Sequence, residues 1–468
     1  MLFASPTFLF FFLPLCIAAY FAARGMKARN AVVLLASWLF YAWGEPLYVL
    51  LMLAMTGVNY AWALGIEARE GRARKAMLAG AVTTNLGVLA VFKYAGFVVG
   101  SLNAVLEPAR VSLQVPHIAL PLGISFFTFH ALSYVIDVYR RRFPANRNLS
   151  EVALYLAFFP QLIAGPIVRY KTIAGQLRRR RHTLGRASAG LRIFIIGLAQ
   201  KLLIADAFAP SANALFDHVQ RPGLSEAWLG VTAFALQLYF DFAGYSNMAI
   251  GLGLVFGFSL PRNFRRPYAS ASITEFWRRW HISLSTWFRD YLYIPLGGSR
   301  GPAWKTWRNL VIVFLLCGLW HGASWTFVLW GAWHGGFLVL ERVGLGRLLG
   351  RLPRPVGWFY AIVAVCGGWV LFRSADLASA ADIWSGMAGL HGLGGLHPEA
   401  AYAFTPQVHW LLPVAAVLAV ARLRWRAPPQ PWRRTPAWAD NLMLAGLAAL
   451  SLLQVAAGAF SPFLYFRF

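Results

Sequence analysis

Apolar runs of about 18 residues or more recur from one end of the chain to the other, punctuated by short basic blocks. A helical run of that length crosses ~30 Å of hydrocarbon, so the pattern restricts the chain to architectures that satisfy their backbone inside a bilayer. With 59% hydrophobic and 13% charged residues, a soluble domain would expose far more apolar surface than water tolerates. The expected fold class is therefore an all-α polytopic membrane protein, with residues 1–468 as a single integral-membrane domain. No Gly/Ser linker or soluble segment interrupts it.

The formal net charge of +26 would point to nucleic acid if the basic residues covered one face of a soluble domain. They do not. They fall between the apolar spans, as Arg24, Lys27 and Arg29, then Arg69, Arg72, Arg74 and Lys75, then Arg140, Arg141 and Arg142. Further blocks are Arg178, Arg179, Arg180 and Arg181, then Arg262, Arg265 and Arg266, and the stretches 342–354 and 422–434. Such blocks mark cytoplasmic loops under the positive-inside rule. No Lys or Arg lies between Ser374 and Ala421, although Asp376, Asp382 and Glu399 do, so that stretch reads as extracytoplasmic. Nucleic acid is excluded as a partner; the lipid bilayer is the expected one.

Placing the basic blocks inside gives a consistent trace. The first span ends at Arg24 with its start outside, and it lacks the basic leader of a cleaved signal peptide. Two spans then turn at "WGEP" (43–46), a span follows over about 77–99, and an outer loop reaches His117. The segment 118–139 returns the chain to the Arg140 block. Residues 151–170 are apolar but lie between two basic blocks, and Pro160, Gly165 and Pro166 break any helix there. That predicts a re-entrant segment. The Arg- and Trp-rich stretch 262–308 reads as interfacial and re-entrant helices. Residues 310–341 form one apolar run broken near His321 and Gly322, as two half-length helices. Spans near 356–373, 408–421 and 440–460 complete about ten or eleven crossings. Cys16, Cys317 and Cys366 all lie in apolar runs without metal-ligand spacing and are expected to be buried hydrophobes.

Ionisable groups inside a membrane cost at least ~2.5–3.5 kcal/mol on insertion scales, so each one needs a reason. Four segments concentrate them: "FFPQLIAGPIVRY" (158–170), "QLYFDFAGYSNMAIGLG" (237–253), "FWRRWHISLSTWFRDYLYIPLGG" (276–298) and "LWHGASWTFVLWGAWHGG" (319–336). Together, in this order, they closely resemble the membrane-bound O-acyltransferase family, and its alginate O-acetyltransferase branch in particular. The early "WLFYAWGEPLYVLL", the "GWVLFRS" at 368–374 and the ending "SPFLYFRF" are similar to that branch too. The motif-bearing core spans about 118–341, with additional C-terminal spans over about 356–460.

The resemblance implies a ring of helices around a central thinned region pierced by a tunnel, and a transferase that moves an acyl group across or within the bilayer. It implies two essential positions, matching His321 and His281 here. It also implies a bacterial inner-membrane location, a periplasmic N-terminus, and periplasmic partner proteins that receive the acetyl group and modify the polymer. The family often carries an acidic residue just after "GYS"; this chain has Asn247 there, which puts that carboxylate's role in doubt.

The chemistry of the residues agrees. Acyl transfer needs a base to take the proton of an acceptor hydroxyl as it attacks a thioester carbonyl, and an imidazole, with an unperturbed pKa of ~6.5, suits that task. His321 sits among Trp320, Trp325 and Trp330, shielded from water, while Gly322 and Ser324 could admit donors to the developing oxyanion. Arg278, Arg279, Arg289 and Arg300 stand where the phosphates of a cytoplasmic donor such as acetyl-CoA would arrive. Acetyl-CoA is expected as a substrate, and neither a bound cofactor nor a metal is.

Each candidate also has a bland role. His321 could bond a neighbouring helix, and His281 could anchor the arginine-rich interface. Asp241, with Tyr245 near it, could orient a histidine or an arginine, or make an interhelical bond. Arg169, Arg289 and Asp290 bind a donor or pin re-entrant loops. His334 and His130 are expected to be structural. Rival functions are D-alanyl transfer to teichoic acid, acetylation of peptidoglycan or cellulose, and transport. A transporter predicts repeated halves with matching broken helices, and no internal repeat is visible.

Overall fold

Each long apolar run is helical, because in hydrocarbon only a helix closes every backbone hydrogen bond within the segment. The computed structural model describes residues 1–116, 118–421, 437–458 and 462–464. His117, the basic stretch 422–434, and Ser461 and 465–468 of the "SPFLYFRF" ending lie outside the described residues. The chain divides into two compact units, Met1–Phe194 with Met248–Pro261, and Ile195–Asn247 with Arg262–Phe468.

The first unit holds α1 (Leu13–Ala22), α2 (Met26–Gly44), α3 (Tyr48–Glu67), α4 (Gly71–Leu106), α5 (Ile124–Tyr139), α6 (Leu149–Ala157), α7 (Phe159–Leu162), α8 (Tyr170–Arg178) and most of α9 (Leu184–Ala199). α2 and α3 are separated at the expected "WGEP" turn. Asn59 on α3 and Asn85 on α4 exchange side-chain amide bonds of 3.1 and 2.7 Å, a polar tie between two helices whose other faces are largely apolar.

The expected break in 151–170 is present. α6 ends at Ala157, α7 lasts one turn, and residues 163–169 are irregular yet buried through Val168. Buried irregular backbone must find partners, and it does. The Phe159 N–H donates to Ser37 Oγ (3.1 Å), the Val168 N–H to His130 Nε2 (3.2 Å), and Tyr155 Oη to the Val168 carbonyl (2.9 Å). His130 therefore has the structural role expected of it.

The second unit holds α10 (Asp206–Asn213), most of α11 (Leu224–Val255), α12 (Ile273–Trp277), α13 (Ile282–Phe288), α14 (Ala303–His321), α15 (Trp325–Leu340), α16 (Gly346–Arg351), α17 (Arg354–Arg373), α18 (Leu377–Met387), α19 (Pro398–Ala403), α20 (Pro406–Val420) and α21 (Ala437–Ala456). The described residues contain no strand. Among the described residues, five helical stretches are long and apolar enough to cross a membrane: Tyr48–Glu67, Gly71–Ala109, Leu184–His218, Arg354–Arg373 and Trp438–Ala456. Thr7–Ala22, Ile124–Tyr139 and Pro406–Val420 are shorter apolar helices. Cys16, Cys317 and Cys366 are buried and free, in keeping with the sequence.

One expectation needs correcting. The 310–341 run does break at Gly322, but not into half-length helices: α14 has 19 residues and α15 has 16, and they pack antiparallel. The register shows in two glycines. A Cβ on Gly318 would lie 2.1 Å from the Phe327 carbonyl oxygen, and one on Gly331 would lie 2.3 Å from that of Phe314. The sequence reading missed this because small residues spaced for close helix approach look, in one dimension, like helix breakers.

Candidate active site

All the predicted site residues except Arg169 belong to the second unit. The segment carrying His281 is short and irregular, and three ties fix it. The Glu341 carboxylate accepts the Ile273 and Thr274 N–H groups (2.6 and 2.9 Å), capping the start of α12 with negative charge where the helix exposes its N–H groups. The Arg265 N–H donates to the Arg279 carbonyl (2.9 Å), and the Ile282 N–H to the Asn263 carbonyl (2.9 Å).

His281 then caps α13 with φ +40° and ψ +55°, in the left-handed region that non-glycine residues adopt uncommonly, Asn, Asp and His more than most. Its side chain is wholly buried. Its Nδ1 lies 3.3 Å from Asn263 Oδ1, which also accepts the Ser283 N–H (3.2 Å) and Ser283 Oγ (2.6 Å). The backbone N–H can only donate, so it fixes that Asn263 atom as the oxygen. His281 must therefore carry its proton on Nδ1, which leaves the lone pair on Nε2.

α14 ends at His321, which is nearly buried. Its ring packs against Trp320 (5.0 Å between centroids), Trp330 (4.9 Å) and Phe372 (5.2 Å). Trp320 in turn lies 6.2 Å from the His281 ring, edge to face. The two histidines that the sequence singled out thus flank one tryptophan.

The loop after His321 behaves differently from its expected role. The Gly322 N–H is spent on the Gly318 carbonyl (3.2 Å), and Ser324 Oγ is paired with Thr326 Oγ1 (2.7 Å). The Gly322 N–H is thus not set up as an oxyanion donor, whereas either hydroxyl of the Ser324–Thr326 pair can be the donor. Gly322 is required by packing instead, since a Cβ there would sit 2.1 Å from the Phe327 ring. His334 is wholly buried between Trp330 (5.0 Å) and Trp277 (5.1 Å), and its ring nitrogens have no partner among the described residues.

On α11, Asp241 and Tyr245 share one face, both buried. Asp241 orients neither histidine. It pairs with Lys201 Nζ (2.9 Å), which also reaches Asp206 (2.5 Å), and its other oxygen accepts the Leu464 N–H (2.7 Å). Phe463 stacks near Tyr245 (4.7 Å) and Phe242 (5.7 Å), and Phe242 meets the His281 ring edge-on at 4.7 Å. Phe463 is thus linked to His281 through the Phe242 ring. Of the arginines, Arg278 and Arg289 are exposed, and Arg289 Nε pairs with its neighbour Asp290 (2.7 Å). Arg279 is tied to Glu275. Arg169 stands in the first unit, half-buried at the start of α8.

Asn263, Lys201 and Phe463 did not figure in the sequence reading. Lys201 left a signal that could have been used: it is a lone cation inside the apolar stretch 193–205.

Two buried histidines in an aromatic sleeve of a helical membrane protein are an arrangement that suits intramembrane acyl transfer, and the comparisons with known proteins supply the class. Residues 113–359 match the membrane-bound O-acyltransferase family, MBOAT. Over the full length of both chains, this chain is 43% identical to proteins named probable alginate O-acetylase AlgI, from Azotobacter vinelandii and Pseudomonas putida. It is also 36% identical to a peptidoglycan O-acetyltransferase of Helicobacter pylori, over 85% of this chain and 81% of that one. The chain belongs to the membrane-bound O-acyltransferase family, and within it to the branch of the alginate O-acetylases. It is a multi-pass membrane acyltransferase.

Proposed function

We propose that the chain takes acetyl from acetyl-CoA at the cytoplasmic face of a bacterial inner membrane and passes it outward. Periplasmic partner proteins then O-acetylate an extracellular polysaccharide such as alginate. The observation that carries this reading is the pair His281 and His321 on either side of Trp320, with His281 held in one tautomer by Asn263.

In this reading His321 takes the proton from the acceptor hydroxyl. The oxygen attacks the thioester carbonyl, the new C–O bond forms as the C–S bond breaks, and the proton passes to the departing thiolate. His281, with its lone pair on Nε2, is the second imidazole and bonds the acceptor. The exposed Arg278 and Arg289 meet the donor's phosphates. In this reading the two groups line a tunnel, and the pattern of basic blocks supports an N-terminus outside. Peptidoglycan is the second acceptor class to test, on the strength of the Helicobacter pylori relative.

Radiolabelled acetyl-CoA offered to the purified protein tests the reading. Label should be hydrolysed or transferred by the wild type, and His321→Ala should lower that rate by about 10²–10⁴. A wild type inert toward acetyl-CoA, or a folded His321→Ala protein as active as the wild type, defeats it.

A further inference from the structure

The first unit contains an arginine cluster that the acyl-transfer chemistry does not use. At its centre is His182, between α8 and α9. Tyr20 Oη donates to the Phe256 carbonyl (2.7 Å), so the 2.7 Å contact between Tyr20 Oη and His182 Nε2 is donated by the imidazole. His182 Nδ1 then accepts from Arg29 (3.1 Å), which only a neutral ring can do. Arg180 donates to the same Tyr20 hydroxyl (3.2 Å), and Arg186 donates to the Gly257 carbonyl (3.1 Å) and Ser259 Oγ (2.9 Å).

Three guanidiniums thus gather around one neutral imidazole. No Asp or Glu among the described residues pairs with Arg29, Arg180 or Arg186, whereas Arg178, just before Arg180 in the chain, is paired with Glu151. Burial, followed by the charges of Arg29 and Arg180, holds the His182 pKa below its ordinary value, as an uncompensated positive field should. Arg180 is 9% exposed, lies over the Phe258 ring at 4.0 Å, and keeps an Nε without a partner among the described residues. A buried cation needs a counter-charge. Beside the cluster, α1 presents exposed apolar side chains, Leu15 and Phe21, and the Phe21 ring lies 6.2 Å from His182.

We propose that Arg29, Arg180 and Arg186 form a binding site for a phosphate group, whose source is an anionic phospholipid headgroup or a soluble phosphate. Planar guanidiniums suit phosphate oxygens, and the adjoining apolar face of α1 suits an acyl chain. The site is independent of the acyl-transfer residues.

The test uses the full-length protein in a neutral detergent, with dioctanoyl phosphatidylglycerol and inorganic phosphate as probes. Chloride at matched ionic strength is the reference, and thermal midpoint and bound lipid by native mass spectrometry are the readouts. A midpoint rise with the lipid alone identifies a headgroup site, and a rise with both probes, or with phosphate alone, identifies the soluble anion. In either case Arg29→Gln and Arg186→Gln should weaken apparent affinity about tenfold or more, while Arg179→Gln, outside the network, leaves it intact. Arg29 and Arg186 are half-exposed, so these variants decide the matter even where Arg180→Gln fails to fold. No rise over chloride with either probe, or an unchanged rise in both glutamine variants, overturns the site.

Discussion

His281 and His334 are both wholly buried in the second unit, both packed edge-on against aromatic rings, and yet built in opposite ways. His334 sits in regular helix, in the middle of α15, with no hydrogen-bond partner among the described residues for either nitrogen. His281 sits at a left-handed backbone position, with its Nδ1 held by an asparagine that also serves the next turn of chain. Burial alone therefore does not distinguish the two imidazoles. A left-handed backbone position, together with a partner that fixes the tautomer, is what separates them.

The comparison breaks most sharply by replacement. His281→Asn removes the imidazole but keeps a residue that accepts the left-handed conformation, so the fold should survive. Acetyl transfer per folded molecule should then drop about 10²–10⁴, whereas His334→Leu should leave it within about threefold of wild type. Because His334 satisfies no partner, its loss should also leave the thermal midpoint level or slightly raised. Equal losses of activity in the two variants would erase the distinction.

A smaller effect tests the aromatic cage around His334. A Cβ on Gly368 would lie 2.7 Å from His334 Nε2, with the Trp333 ring also close. Gly368→Ala should cost about 1–3 kcal/mol by overpacking, read as a lower midpoint in detergent, with the rate per folded molecule unchanged. A loss of rate without a loss of stability would give His334 a part in the reaction.

How far the sequence disclosed this contrast follows from what each feature depends on. The helices around the basic blocks, the buried break after Phe158 and the stop at Gly322 are local, set by apolar length, proline and glycine. His281 and His321 were legible because long motifs surround them. Asn263 was not: it stands 18 residues before His281, across a loop whose path no periodicity encodes. The Asp241–Lys201 pair and the Leu464 N–H, 223 positions from Asp241, are tertiary for the same reason. Gly322 misled in the other direction, since a glycine beside a candidate base looks like room for a donor. Its N–H is already spent, and the Phe327 ring fills the space.

The finest test of the contrast is the Asn263 contact itself. Asn263→Ala removes the acceptor for His281 Nδ1 while the imidazole remains, and it also releases Ser283 from its 2.6 Å bond. One hydrogen bond is worth about 0.5–1.5 kcal/mol, so the rate should fall only about two- to tenfold. Were Asn263 mere loop scaffolding, the midpoint would fall and the pH profile of the surviving activity would keep its shape. If it fixes the tautomer, the ring is freed to protonate at either nitrogen, and the acid limb of the profile moves. Asn263→Asp separates these further: a carboxylate at the same place keeps the acceptor and adds charge that favours the protonated ring. Activity should then be recovered at high pH and lost earlier as pH falls, with the acid limb shifted upward relative to wild type.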